Sequence, residues 1–312
     1  MIARYRPLFP SVLCLLLIAA SARAAAPAPA KEHSEKFIRF VEDDEGGGRL
    51  EAAITTFRNA DGVVVHLVSA VHVAENKYYQ NLTRTFATYD ALLYEMIKPK
   101  DVAVPDLSQR SDSMLSMFQR LLKDVLELEF QLDAINYTAR NFVHADLDAE
   151  TFLRLQEERG ESMMALLLRV MLNEMANPQK PAQEVSLIEL LAAFTSPDRA
   201  RHLKLILGRQ FEDIESKIAG LEGPNGSVLV SERDKAAIAA LKNTMAKGKK
   251  TIGIFYGAAH MPDLSRRLAD LGFKPVAKEW RVAWDMTPRE GDVVIKVVKK
   301  KPTTQPAARP AP

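Results

Sequence analysis

Two stretches of the chain share one order of apolar, small and polar positions. Val63-Val64-Val65-His66-Leu67-Val68 runs into Ser69-Ala70-Val71-His72, and Thr251-Ile252-Gly253-Ile254-Phe255-Tyr256 runs into Gly257-Ala258-Ala259-His260. Short apolar runs rich in β-branched residues predict strands covered on both faces. After His72, the spacing of Tyr78, Tyr79, Leu82, Phe86 and Tyr89 predicts an amphipathic helix, followed by a second strand over residues 91–97. After His260, Leu264, Leu268 and Leu271 predict a shorter helix, and residues 274–284 the next strand. The expected fold class is therefore α/β, with a mixed central sheet built from two β-His-α-β units. Ligands of open α/β sheets sit outside the carboxyl ends of the strands, where both histidines fall.

Residues 51–57, the turn Asn59-Ala60-Asp61-Gly62 and the run from Val63 onward predict a hairpin. Between the two units, residues 107–247 are mainly helical in pattern, with candidate helices at 107–132, 149–175, 184–219 and 231–245. Breaks fall at Asn177-Pro178, Pro181, Ser196-Pro197 and Gly223-Pro224-Asn225-Gly226. This block reads as a large helical insertion folding over the sheet as a cap.

The ends of the chain read differently. Residues 1–24 have the form of a cleaved secretory signal: Arg4 and Arg6, an apolar run from Val12 to Ala20, then Ala22-Arg23-Ala24. That run is too short for a stable membrane anchor, and no other stretch is apolar enough, so no transmembrane anchor is expected after cleavage. Residues 25–36 read as a disordered leader, residues 37–298 as a single α/β domain, and residues 299–312 as a disordered, basic, proline-rich tail. The one cysteine, Cys14, lies in the signal, so the mature chain has no thiol for disulfides or catalysis. Export without cysteine fits a periplasmic or secreted bacterial protein. Loss of Arg4, Arg6 and Arg23 takes the formal charge from +2 to −1, a balance that does not call for nucleic acid as a partner.

His72 and His260 are the leading candidates for chemistry, since neutral imidazole is a common ligand for Zn, Mn and Co. Glu95 is the one charge in Ala91-Leu92-Leu93-Tyr94-Glu95-Met96-Ile97, on a strand expected to neighbour the one ending at Ser69. A carboxylate there is costly unless paired. It could be a metal ligand or a general base. Arg233, behind Ser231 as a candidate N-cap, could hold a substrate carboxylate or developing oxyanion, or fix Glu232 or Glu95. His144 and Asp146 alternate in Asn141-Phe142-Val143-His144-Ala145-Asp146 and are possible additional ligands if that stretch is extended; otherwise Asp146 or Asp148 caps the next helix. His66 reads as a hydrogen-bonded interior residue, and Met163, Met164, Met171 and Met175 as helix core. No Gly-rich phosphate loop, Gly-x-Ser-x-Gly elbow or His-Glu-x-x-His helix is present.

The paired motifs resemble the TraB/PrgY/GumN family, which includes the Tiki-type metalloproteases. Its hallmark is two Gly-x-x-His motifs at strand ends with a glutamate after the first. Gly257-Ala258-Ala259-His260 matches, the first motif has Ser69 in place of glycine, and the glutamate corresponds to Glu95. Glu232-Arg233-Asp234 matches an acidic-Arg-Asn-like triplet, with Asp234 for asparagine. The resemblance covers roughly residues 50–285. It implies an exported metal-dependent hydrolase, a peptidase in the Tiki sense, with His72, His260 and Glu95 holding Mn, Co or Zn and with Glu95 and Arg233 as catalytic groups. The alternative it leaves open is a non-catalytic protein that sequesters a peptide or small molecule, as associated with the TraB/PrgY branch.

Overall fold

The computed structural model describes residues 36–102, 123–161, 187–221 and 226–288. The secretory signal, nearly all of the leader, the basic tail and the four methionines named above lie outside the described residues. The strands are β1 (Ile38–Glu42), β2 (Gly48–Arg58), β3 (Val64–Ala70), β4 (Val73–Ala74), β5 (Ala91–Tyr94), β6 (Glu129–Phe130), β7 (Phe142–His144), β8 (Thr251–Gly257) and β9 (Lys274–Asp285). The helices are α1 (Asn76–Phe86), α2 (Gln131–Ala134), α3 (Ala149–Arg159), α4 (Leu187–Thr195), α5 (Arg199–Leu221), α6 (Arg233–Ala246) and α7 (Met261–Asp270).

Seven strands form one mixed sheet, giving the expected α/β architecture. β2 and β3 make the hairpin, closed where Val63 N–H donates to Asn59 Oδ1 (2.9 Å) and Gly62 takes φ of 75°. β2 also pairs antiparallel with β1 and, along nearly its whole length, with β9. Beyond β3 the order is β8, β5, β7, all parallel. The strand before Glu95 therefore does not neighbour the one that ends at Ser69, as its sequence position suggested. β8, formed more than 150 residues later, occupies the slot between them, with Ala70 opposite Gly257 and Tyr94 opposite Phe255. Four parallel strands thus end along one edge.

Period-two alternation splits the sheet residues between two cores. Val68, Ala70, Leu92, Tyr94 and Phe255 pack beneath Tyr78, Tyr79, Leu82 and Phe86 of α1 and Leu203 and Ile206 of α5. Val65, Leu67, Leu93, Ile252, Ile254 and Tyr256 face Ala237, Ile238 and Leu241 of α6 and Leu264 and Leu268 of α7. Helix α6, read from the sequence as part of a cap, is thus half of the layer under the sheet.

Within the block read as helical, two short strands appear. β6 pairs with β4, and β7 extends the main sheet past β5. Helix α3 starts at Asp148, whose carboxylate accepts from Thr151 N–H (2.9 Å), and stops at Gly160, φ 64°. A π-helical turn, Val228–Glu232, precedes α6. Ser227 rather than Ser231 caps that turn, its hydroxyl accepting from Val230 N–H.

Candidate functional site at the carboxyl edge of the sheet

The residue that leaves β3 is held from three sides. Tyr78 and Tyr79, buried on α1, donate their hydroxyls to the carbonyls of Ser69 (2.9 Å) and Val71 (2.8 Å). The β4–β6 ladder continues the chain beyond His72. Gln131, at the start of α2, donates its N–H to the His72 carbonyl (2.9 Å) and presents Oε1 to His72 Nδ1 (3.1 Å). Because Gln131 Nε2 is committed to the Tyr137 hydroxyl (2.8 Å), its oxygen must face the imidazole. His72 Nδ1 therefore donates, which leaves Nε2 as the nitrogen with a lone pair whenever the ring is neutral.

His260 is built to the same plan. Gly257 ends β8, a short 3₁₀ turn (Ala258–His260) carries the histidine, and α7 begins at Met261. Its Nδ1 donates to Asp234 Oδ1 (2.7 Å), an acceptor from the first turn of α6. Its Nε2 lies 3.7 Å from Glu95 Oε1. Both imidazoles thus spend Nδ1 on a side-chain oxygen and leave Nε2 as the group without a strong partner.

Glu95 follows β5 directly, and its carboxylate spans the site. Oε2 accepts from Gly257 N–H (2.6 Å) and Oε1 from Arg233 Nη2 (2.7 Å). The absence of a side chain at Gly257 matters here. A Cβ at that position would lie 3.2 Å from His72 Nε2, 3.4 Å from Glu95 Oε2 and 3.8 Å from His260 Cδ2. Those three distances bring the two imidazoles within about 7 Å of each other, around one point that only glycine leaves clear.

Arg233 opens α6. Its Nε and Nη2 grip Asp146 bidentately (3.0 and 2.6 Å), while Nη1 makes only 3.5 Å approaches to the Leu229 carbonyl and His260 Nε2. Asp146 lies two residues past β7, and its side chain is fully buried. The four parallel strands β3, β5, β7 and β8 therefore each deliver a group, and α6 delivers the cation and the carboxylate that tie them together. His72 and Glu95 are partly exposed, whereas Arg233, Asp234 and His260 are buried.

Burial by itself would raise the Glu95 carboxyl. Arg233, then His260 and His72, and the Gly257 N–H outweigh it and hold the group well below the usual carboxylate range. Asp234 behaves oppositely: burial, against the pull of His260 and with Asp263 nearby, pushes it up to about 7. Burial lowers His260, but Asp234 and Glu95 more than restore it, leaving it above its ordinary value. The two groups are best described as sharing one proton that neither holds alone. Burial would raise Asp263, but Arg267, then Asp234 and Arg266, outweigh it and hold the carboxyl below its ordinary value.

The structure brings together His72, Glu95, Arg233 and His260, and adds Asp146 through its ion pair with Arg233. His144 is directed elsewhere, with Nε2 donating to the Met96 carbonyl (2.6 Å) beside the Tyr94 ring. His66 is half-buried rather than fully interior, with Nδ1 against Thr56 Oγ1 (3.0 Å) and its ring stacked on Tyr89. Glu232 turns away to Arg159 and Lys235, so Arg233 fixes Glu95 rather than Glu232. Ser69 is buried, and strand alternation sets it on the α6–α7 face; the residue opposite Gly257 is Ala70. The sequence reading missed Gln131 and Tyr137 and gave Asp234 no role beyond its place in the triplet.

Two histidines and a carboxylate around one point have the donor chemistry of a divalent-ion site, and the Nδ1 partners Gln131 and Asp234 match the outer contacts that orient metal-binding imidazoles. Among the described residues, no three His, Asp or Glu side chains stand in a ready ligand arrangement; the cation that Glu95 faces is Arg233. No helix among the described residues is long and apolar enough to cross a membrane. Comparison of the chain with protein-family models, curated proteins and solved structures finds no match.

Proposed function

We propose that this chain is an exported hydrolase dependent on a divalent ion, acting on a peptide or small molecule outside the cytoplasm. The observation that carries the reading is the matched pair of imidazoles, each tied at Nδ1 to a side-chain oxygen, with His72 Nε2 turned towards Gly257 and His260 Nε2 towards Glu95. His72, His260 and Glu95 are the residues that would hold Mn, Co or Zn. An ion of that kind supplies Lewis-acid polarisation of a scissile carbonyl. The resemblance to the TraB/PrgY/GumN family supports the same assignment and is the source of the peptidase label.

The protein's own groups divide the remaining work. Glu95 is held so firmly ionised that it is a weak proton acceptor, which favours a ligand's role over a base's. Gln131 and Asp234 keep the two rings oriented. Arg233 has both Nη1 hydrogens in long contacts only, so these are the donors left to steady negative charge developing on a substrate oxygen.

A second reading, a sequestering protein without catalysis, is favoured by one observation. Arg233 already pairs with both Glu95 and Asp146, so Glu95 has a cationic partner from the chain itself. Elemental analysis of the purified chain, with and without chelator, separates the two. The hydrolase should carry close to one equivalent of Mn, Co or Zn and lose peptide hydrolysis when stripped. A metal-free chain that binds peptides and leaves them intact would establish the second reading instead.

A further inference from the structure

The reading of this edge as a divalent-ion site raises a question of charge. Two of the three groups that would hold the ion are already approached by one guanidinium. Arg233 Nη2 donates to Glu95 Oε1 at 2.7 Å, and Nη1 stands 3.5 Å from His260 Nε2, the nitrogen whose lone pair an ion would use. The same guanidinium is anchored from behind by Asp146, through Nε at 3.0 Å and Nη2 at 2.6 Å. That carboxylate is wholly buried.

We propose that Arg233 is the resident counter-cation of the site, and that a divalent ion binds in competition with it for Glu95 and His260. This rests on the assignment of His72, His260 and Glu95 as an ion site. The chemistry favours competition over coexistence. A guanidinium and a divalent ion serving the same carboxylate oxygen are like charges a few ångströms apart in a poorly solvated place, where their repulsion is only partly screened. Both Glu95 oxygens are already engaged, Oε2 by Gly257 N–H at 2.6 Å and Oε1 by Arg233 at 2.7 Å. Asp146 makes the exchange reversible. When Glu95 turns to an ion, Arg233 retains its bidentate partner and is not left as an unpaired buried charge. When the ion leaves, Arg233 donates to Glu95 again, so the carboxylate has a cationic partner at both ends of the exchange. The site is thereby built to survive without its ion and to bind it more weakly than its ligand set would allow.

The test is Mn²⁺ affinity, measured on the purified chain by isothermal titration calorimetry with MnCl₂. Arg233→Gln removes the competing charge and should bind Mn²⁺ at least about tenfold more tightly than the wild type, the order expected from deleting a neighbouring like charge. Because Arg233→Gln strands the Asp146 carboxylate and can unfold the chain, Arg233→Gln/Asp146→Asn serves as the second variant and should show the same gain. Adding His72→Ala to either should abolish the gain, which locates it at this edge. A wild type that binds Mn²⁺ no more weakly than both folded variants overturns the competition while leaving the ion site standing. If neither wild type nor folded variants bind Mn²⁺, both the competition and the ion-site assignment fall. A wild type that does not bind beside variants that do would show Arg233 acting as a full substitute for the ion.

Discussion

His260 Nδ1 lies 2.7 Å from Asp234 Oδ1, with both side chains buried and Asp234 wholly out of contact with solvent. This bond joins the turn after β8 to the first turn of α6 and sets which nitrogen of His260 faces Glu95. An acceptor on one side of an imidazole decides what the other side can do, so Asp234 orients His260 without meeting a substrate.

The shared proton of this pair gives a pH signature. His260 keeps its proton to higher pH in the folded chain than in the unfolded one, so the associated stability is fully present below about 6.5 and is lost as pH rises through the raised folded value. Asp234→Asn removes the charge that holds the proton. The stability difference between wild type and Asp234→Asn, as read from urea midpoints, should be largest in acid. It should fall from about pH 4, because the Asp234 carboxyl is raised in the folded chain, and fall further as pH rises through the raised His260 value. Comparing the two chains cancels His66, whose burial lowers its value and acts in the opposite sense. A difference that stays constant with pH would contradict the shared proton.

Glu95→Gln tests the carboxylate. An amide nitrogen would have to face either Gly257 N–H or Arg233, donor against donor. Breaking a buried ion pair from one side costs about 3–5 kcal/mol, so the variant should be folded but clearly destabilised in thermal melts. The stability Glu95 contributes is present above about pH 4.5 and is lost as pH falls through its lower folded value, and Glu95→Gln should lack that acid-side decline. As an ion ligand, Glu95 should also take ion affinity with it. A variant that keeps full affinity but turns over about 10²–10⁴-fold more slowly would make Glu95 the base instead.

Gly257→Ala should separate function from folding. The backbone there (φ −53°, ψ 146°) suits any residue, and the added methyl would sit 3.2 Å from His72 Nε2, so stability should change by about 1 kcal/mol or less. The methyl occupies the point around which the imidazoles and Glu95 converge. Ion uptake and hydrolysis should therefore both fall sharply in a chain whose melting is nearly unchanged. Undiminished ion binding by this variant would place the site elsewhere.

Gly253→Ala is the structural contrast. Its Cβ would come within 2.5 Å of Leu92 Cδ1 and 2.6 Å of the Tyr89 ring, between β8 and its neighbours. Overpacking of this kind costs about 1–3 kcal/mol, and denaturant midpoints should fall accordingly while ion binding per folded molecule is kept.

His72→Ala and His260→Ala should each lose ion and activity together, but not stability to the same degree. His72 is partly exposed and held by Gln131, whereas His260→Ala leaves the buried Asp234 carboxyl without its partner. The second variant should be the less stable in thermal melts. Folded, ion-free variants with intact hydrolysis would remove the hydrolase reading.

Much of the site could be read from local pattern because its parts lie where strands end. A strand announces itself by which side chains must be buried, and the polar residue just past an apolar run is conspicuous, as with His72, Glu95 and His260. The same logic found α1, α7 and the β2–β3 hairpin, all set by contacts within a few residues, and narrowed the α3 cap to Asp146 or Asp148, of which the structure uses Asp148. It could not find β7, whose three residues are too few to show a period, nor the stop of α3 at Gly160. Nor could it order the sheet. Burial on both faces says that β3, β5 and β8 are interior strands, but which of them touch depends on how distant helices close the chain. β8 lies between β3 and β5, in a sheet that α1 covers on one face and α6 and α7 on the other. The pairings that give the site its chemistry have the same origin. Gln131 meets His72 across 59 positions, Arg233 meets Asp146 across 87 and Glu95 across 138. Local periodicity carries no information on such partners, because a buried charge needs some opposite charge and only the packed chain decides which one arrives.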